Sequence, residues 1–300
     1  MSLTLDELRR FRTLTIIALF SDDDLLDTLV LKGGNALDIG YGFNSRASID
    51  LDFSMARDFS DLGLSNLEQV RQRLEGVLSA TFSQHGYQVF EVRIKAKPTK
   101  KQPQNQEFWA GYEAKFKVIE QEKFNSHKDE PIWLAAKSIP LSDAKKNITI
   151  DFGMHEYLGD ITMTDLEGFI VPIYTPTLIV LEKIRAICQQ MEEYLVNIGK
   201  DASFGKPRPR DFYDIYTILE SSKVDINLNH PETIRHLKEC FKAKRVPIKL
   251  IAQISETREF HKLDETRLRD SVLDEFKGFD YYFNYVIELL YHYNLHKLTA

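Results

Sequence analysis

Leu29-Val30-Leu31-Lys32-Gly33-Gly34-Asn35-Ala36-Leu37-Asp38-Ile39-Gly40, followed after a short spacer by Ser45-Arg46-Ala47-Ser48-Ile49-Asp50-Leu51-Asp52-Phe53, decides how the rest of the chain is read. Leu29 to Leu31 is a short apolar run, read as a buried strand. It leads into Gly33-Gly34, where the backbone can turn sharply and lie close to a ligand. Asn35 is a favourable N-cap for a helix through Asp38 and Ile39. A glycine pair at a helix start presents free N–H groups and a positive dipole end, which suits a phosphate. Ile49 to Phe53 then alternates apolar and acidic residues. Residues two apart on a strand share a face, so Asp50 and Asp52 stand side by side, about 6.5–7 Å apart along the strand. Two such carboxylates repel unless a cation lies between them. Mg²⁺, or Mn²⁺ in its place, would serve, because it takes oxygen ligands from a few carboxylates plus substrate phosphates.

Glycine pair, spacer and Asp-x-Asp together resemble the nucleotidyltransferase superfamily. The fuller form, Lys32-Gly33-Gly34-Asn35-Ala36-Leu37 and then Ser45 to Phe53, is similar to the AbiEii/AbiGii toxin family of abortive-infection toxin–antitoxin systems. Two later stretches extend the resemblance: Glu182-Lys183-Ile184-Arg185-Ala186, and Arg210-Asp211-Phe212-Tyr213-Asp214. The match runs over about residues 25 to 220, with four motifs in the family's order. Family members often carry Ser or Thr where this chain has Asn35, which can cap and donate but lacks a hydroxyl.

The resemblance implies an α/β (α+β) fold, a nucleotidyltransferase-like mixed sheet with flanking helices, followed by a C-terminal helical bundle. We expect a boundary between residues 1–173 and 174–300, with the active site in the cleft between the halves. It implies Asp50 and Asp52 as metal ligands and Asp151, in the β-rich run Ile148 to Gly153, as the third carboxylate. Lys32, Gly33, Gly34 and Asn35 would hold the triphosphate of an NTP, helped by Arg46, Arg185, Arg210 and Asp214. Lys183 and Asp211 would join the three acids in catalysis. The plainer alternative for the last two motifs is a salt-bridge network between helices, which is compatible with a phosphate-binding role. The implied reaction is nucleotidyl transfer to a hydroxyl of tRNA or another RNA, by a toxin with a cognate antitoxin protein. An enzyme acting on a small molecule or protein, and a non-catalytic nucleotide-binding regulator, are the alternatives.

The remaining sequence bounds this expectation. The 300 residues are 43% hydrophobic and 28% charged, ordinary for a globular protein. No run of about 18 apolar residues occurs, so no transmembrane helix and no membrane partner is expected. Cys188 and Cys240 are far apart and fit reduced, buried thiols of a cytoplasmic protein. A net charge of −6 argues against wholesale nucleic-acid binding but leaves room for a local basic groove. Lys95, Lys97, Lys100 and Lys101 gather such charge around the end of an alternating segment, Tyr87 to Lys97. Helices are expected at Leu3 to Phe20, Leu67 to His85 (with an N-cap at Ser65), Trp133 to Lys137, Leu178 to Val196 and from Arg210. Strands are expected at Tyr87 to Lys97, Trp109 to Ile119, Ile148 to Gly153 and Ile170 to Ile173. Three or four further helices should follow residue 230, the last an aromatic-rich one at Tyr281 to Tyr293 that forms bundle core.

Overall fold

The structure is a computed structural model and describes the chain apart from residues 1–3, 44–49, 100–104, 106, 142–144, 201–204, 274 and 300. Arg46, Lys100 and Lys101 therefore lie outside the described residues.

Seven strands form one mixed sheet: β1 Leu29–Leu31, β2 Leu51–Met55, β3 Tyr87–Lys97, β4 Gly111–Glu120, β5 Ile148–Gly153, β6 Ile161–Leu166 and β7 Phe169–Tyr174. Their order is β3-β4-β5-β2-β1-β7-β6. β2 runs parallel to β5 and antiparallel to β1, and β1 runs parallel to β7. The outer pairs β3–β4, β4–β5 and β6–β7 are antiparallel. Short β1 and β2 lie at the centre, and their apolar residues Leu29, Leu31, Leu51 and Phe53 are fully buried.

One face of the sheet packs on α1 (Leu5–Phe20), α3 (Gly33–Tyr41) and α4 (Leu67–Ser83). The packing is largely aromatic: Phe11 lies against Phe82, Phe20 against Phe53, and Phe82 against Phe116. The cap of α4 is Asn66, whose side chain accepts from the Gln69 N–H, rather than Ser65, and Gly86 ends that segment at φ +78°. β3 matches its expected limits, but its alternation is interrupted. A bulge at Glu91, where φ is +48°, shifts the register between Phe90 and Arg93. An extra residue reverses side-chain parity. Val92 and Ile94 point into the main core, while Phe90 joins a separate cluster with Ile119 and Leu134. That cluster seats α5 (Gln121–Ser126) and α6 (Pro131–Lys137), of which only the second was expected.

From β7 the chain enters α7 (Pro176–Cys188) directly. Thr175 caps it, accepting the Leu178 N–H at 3.1 Å, and Pro176 occupies the first position. Helical periodicity continues to Val196, yet the helix ends at Cys188 and α8 (Glu192–Asn197) restarts it. At the break the Gln190 carbonyl accepts the N–H of Gly205, and its side chain accepts that of Lys206. A loop far along the chain thus takes the acceptor that a continuous helix would need. Then follow α9 (Pro209–Leu219), α10 (Pro231–Ala243), a 3₁₀ segment (Ile248–Thr257), α11 (Arg258–Lys262), α12 (Glu265–Arg269) and α13 (Phe279–His292). The expected aromatic stripe of α13 is core only in part: Tyr282 and Phe283 are buried, whereas Tyr281 and Tyr291 are exposed. Phe283, with Phe279 just before the stripe, packs on Phe212 of α9, with ring centroids at 5.2 and 5.5 Å. One continuous apolar cluster joins this bundle to the sheet.

Phe212 sits fully buried where α9, α11 and α13 meet. Phe212→Ala should lower unfolding free energy by about 3–5 kcal/mol, the usual cost of deleting a buried aromatic ring. Urea denaturation measures this, and a loss below about 1 kcal/mol would show that the bundle does not depend on that junction.

Candidate active site

Lys32 follows β1 in extended conformation and serves as the N-cap of α3, whose first residue, Gly33, has φ +65°. A Cβ built at Gly33 would lie 3.7 Å from Asp52 Oδ2, so the backbone passes close to that carboxylate. Asn35 is not the cap. It sits buried inside the first turn of α3, and its Nδ2 donates to the Asp50 carbonyl at 2.7 Å. The side chain ties the glycine turn to the start of β2, while the first backbone N–H groups of α3 lack acceptors within the helix.

The three expected acids line one cavity beside this turn. Asp52 is directly opposite Asp151 in the parallel β2–β5 pairing, and Asp50 lies one residue before β2. The register continues across the sheet, with Asp151 opposite Glu113 and Glu113 opposite Lys95. One row of charge therefore spans four strands. Burial raises the Asp52 pKa; Lys32 opposes that rise, while Asp151, Asp50 and Glu156 add to it. Asp151 is ion-paired with Lys97, and Asp50 with Lys145.

Glu156, unmarked in the sequence, closes the floor. It contacts Lys32 and the Ser54 hydroxyl, and lies 3.7 Å from Lys244 at the end of α10. Burial would raise its pKa, but Lys32 and Lys244 hold it far below the usual carboxylate range. Burial pushes the Lys244 ammonium down to about 8 despite Glu156. Glu156 and Lys244 come from segments that carry no motif, so only the three-dimensional structure joins them to Lys32.

The helical wall carries the later motifs. Lys183 Nζ lies 3.1 Å from Asp211 Oδ1 and 2.5 Å from Asp214 Oδ2. Arg208 also pairs with Asp211, whose pKa is driven down by Arg208 and Lys183 against its burial. Arg185 is held by Glu182 at 2.6 Å and by Gln189 at 2.5 Å. The expected salt-bridge network exists, and Arg208, outside the quoted motif, is part of it.

Three cavities share Asp52. One, of about 230 Å³, brings Gly33 and Gly34 together with Lys183, Arg185 and Arg208. A second, of about 370 Å³, is lined by Gly34, Asp50, Asp52, Asp151, Arg210 and Asp211. The third, of about 430 Å³, opens toward β3 and β4. Lys183 thus lines the same cavity as the glycine turn although half the chain's length separates them in sequence. Every expected site residue that the structure describes, except Asn35 and Asp214, lines one of the first two cavities. Asn35 braces the turn, and Asp214 braces Lys183.

The sequence of residues 16–284 matches the family described as nucleotidyl transferase AbiEii toxin, type IV TA system. The chain belongs to the AbiEii family. Its seven-stranded mixed sheet with flanking helices is accordingly a nucleotidyltransferase-like α/β fold. No curated protein matches the sequence. Among solved structures, JHP933 from Helicobacter pylori is 17% identical with a TM-score of 0.41, covering 99% of this chain and 94% of that one. An antigenic nucleotidyltransferase-like protein from Paracoccidioides brasiliensis is 14% identical with a TM-score of 0.37, covering 82% of this chain and 95% of that one. MenT4, a nucleotidyltransferase toxin from Mycobacterium tuberculosis, is 12% identical with a TM-score of 0.28, covering 81% of this chain and 89% of that one. Among the described residues no helix of this AbiEii protein is long and apolar enough to cross a membrane.

The donor set suits a hard divalent ion: carboxylate oxygens only, two of the acids adjacent in register. Among the described residues no three acid, His or Cys side chains already converge as a metal site, since Asp50 and Asp151 are turned onto Lys145 and Lys97.

Lys183→Met should destabilise the protein by about 3–5 kcal/mol, because it removes the ammonium shared by two buried carboxylates. Thermal unfolding checks this, and an unchanged melting temperature would remove the network from the account of stability. His261 gives a pH signature. Its Nδ1 accepts the Arg208 N–H at 3.0 Å, and burial lowers its pKa from 6.5 to about 4, Asp211 opposing and Arg208 assisting. The unfolded chain then takes up a proton that the folded chain refuses. Stability present above pH 6.5 is lost as pH falls toward 4, by about 2 kcal/mol between pH 7 and pH 5. His261→Gln should flatten the urea-denaturation profile over that window by this amount; an unaltered slope would contradict it.

Proposed function

We propose that this AbiEii protein transfers a nucleotide from an NTP to an acceptor hydroxyl, with Mg²⁺ or Mn²⁺ as cofactor and tRNA or another RNA as acceptor. Family membership supports the general activity of a toxin nucleotidyltransferase and a cognate antitoxin. The observation that carries the specific chemistry is the register of Asp52 and Asp151 beside the Gly33-Gly34 turn. A cytoplasmic location fits the two buried free thiols, Cys188 and Cys240.

Asp50, Asp52 and Asp151 are the groups that would hold the metal, which supplies charge neutralisation between the acids and the phosphates. The N–H groups of the Gly33 turn and the Lys32 ammonium bind the triphosphate. Asn35 keeps that turn fixed on β2. Lys183, held by Asp211 and Asp214, and Arg208, Arg185 and Arg210 add positive charge along the helical wall. The acceptor oxygen forms a bond to the α-phosphorus as the bond to the β-phosphate breaks. Pyrophosphate leaves, and the hydroxyl proton passes to Asp151 and then to water.

Incubation with each α-labelled NTP, Mg²⁺ and total tRNA tests the proposal. One NTP should label RNA, EDTA should abolish the labelling, and Asp52→Asn should reduce it by more than about 10²-fold, the scale of losing one preorganised electrostatic partner. Calorimetry should show much tighter NTP binding with Mg²⁺ than without it. At an effective dielectric near 20, unit charges 4 Å apart repel by about 4 kcal/mol, so the acids oppose a bare triphosphate. Equal affinity with and without metal would overturn the assignment.

A further inference from the structure

The third cavity shares Lys32, Asp52 and Asp151 with the nucleotide site, but its other end, around Trp109, Pro98 and Thr99, has no part in the binding described above. It holds about 430 Å³ and runs from Trp109, Pro98 and Thr99 to Asp151 and Asp52. Strand order places it opposite the glycine turn: Gly33, Gly34 and Tyr174 lie on the β1–β7 side of Asp52, whereas Trp109, Gly111 and Lys97 lie on the β4–β5 side. Gly111 on its wall lets β4 lie close to β5, since a Cβ there would meet the Phe152 carbonyl oxygen at 2.2 Å.

Lys95 and Lys97 line the cavity, and the charge continues beyond it along β3 and β4. Lys95, Lys97 and Lys115 surround Glu113, and further on Arg93 and Lys117 flank Glu91. Among the described residues these five cations face three acids, Glu91, Glu113 and Asp151, in a chain of net charge −6. Concentrated positive charge on an acidic protein marks a contact for a polyanion. The aromatic element is Trp109, half-buried, with the Lys200 ammonium 3.8 Å from its ring centroid. A π-face beside cations that follow a strand edge is the arrangement that binds single-stranded nucleic acid.

We propose that this cavity receives the unpaired end of an RNA strand, its terminal base against Trp109 and its phosphates along Lys95, Lys97 and Lys115. The inference rests on the nucleotide-transfer reading and assigns its acceptor subsite. Attacking and leaving oxygens of a phosphoryl transfer lie roughly in line. With the leaving pyrophosphate on the Gly33-Gly34 side, the attacking hydroxyl enters from the side of this cavity, where Asp151 stands between the two. The terminal hydroxyl oxygen bonds to the α-phosphorus, pyrophosphate carries away the electrons of the broken bond, and the proton goes to Asp151. At about 430 Å³ the cavity has room for a group the size of one splayed base and not for a duplex.

The chain has two tryptophans, so Trp133→Phe leaves Trp109 as the only one. In that variant a single-stranded oligoribonucleotide with a free 3′ hydroxyl should quench tryptophan fluorescence saturably, and should do so equally when Asp52→Asn is added. By anisotropy, Trp109→Ala should weaken binding of this oligonucleotide about tenfold and Trp109→Phe should restore it. Lys115→Gln should lower the slope of log affinity against log salt by about 0.7. NTP–Mg²⁺ affinity, measured by calorimetry, should stay unchanged in the Trp109 variants. RNA that binds without quenching Trp109, a Trp109→Ala protein that binds it as tightly as the wild type, or equal quenching by duplex RNA or an acidic peptide overturns the subsite. Pyrophosphate release with another acceptor, without RNA quenching, sinks the subsite and spares nucleotide transfer. Failure of the wild type to bind any NTP sinks both.

Discussion

Two carboxylates placed opposite each other on neighbouring parallel strands are the constraint around which this molecule is arranged. The β2–β5 register sets Asp52 against Asp151, and Asp50 adds a third charge two residues upstream. Such a row destabilises the metal-free fold unless cations reach it. They come from four directions: Lys32 from the end of β1, Lys97 from β3, Lys145 from the segment before β5, and Lys244 through Glu156. Pairing β1 with β2 places the glycine turn against Asp52, and pairing β2 with β5 brings in Asp151. The short central strands are thus the part of the fold that the chemistry needs most directly.

Much of this was legible because it is encoded locally. A three-residue apolar run, a glycine pair and an alternating acidic strand each report their own backbone. The strand limits of Tyr87–Lys97 and Ile148–Gly153 follow the pattern for the same reason. Errors arise where a distant partner decides. Asn35 reads as a cap, but the Asp50 carbonyl attracts its amide and Lys32 takes the capping position. The apolar period through Met191 and Leu195 predicts one helix, but residues 205 and 206 claim the acceptors of Gln190. Phe90 shows how one inserted residue defeats a period-two reading, because parity carries no memory across a bulge. β6 escaped notice although Ile161 to Thr164 alternate, since the run is short and its side chains, the apolar Ile161 and Met163 included, are mostly exposed.

Site residues divide in the same way. Those in compact motifs, Asn35 apart, lie at the cavities where the motifs suggest, while Glu156 and Lys244 were invisible and Arg208 was passed over. A lone acid in a loop and a lone lysine after a helix carry no pattern, and only folding makes them a pair. Arg208 sits just before the Arg210–Asp214 motif and pairs with Asp211. The spacing of an Arg three residues before an Asp at a helix start was a usable signal, since side chains three apart meet on a helical surface.

The electrostatic balance of the centre limits how substrate can enter. Among the described residues Asp50, Asp52, Asp151 and Glu156 are matched by Lys32, Lys97, Lys145 and Lys244, while Glu113 has Lys95 and Lys115 as well. Four acids against four ammoniums leave the core of the cluster near neutrality. A bare polyanion gains little from a neutral cluster and must still displace ammoniums from the carboxylates they hold. On the nucleotide-transfer reading proposed above, a divalent ion held by these carboxylates would remove this obstacle and would leave Lys97 and Lys145 to other anions. Lys97 lines the cavity beside Trp109, so the anion it would then meet is the proposed acceptor. That reading would couple metal loading to acceptor docking through one lysine, and the coupling would follow from the register of a single strand pair.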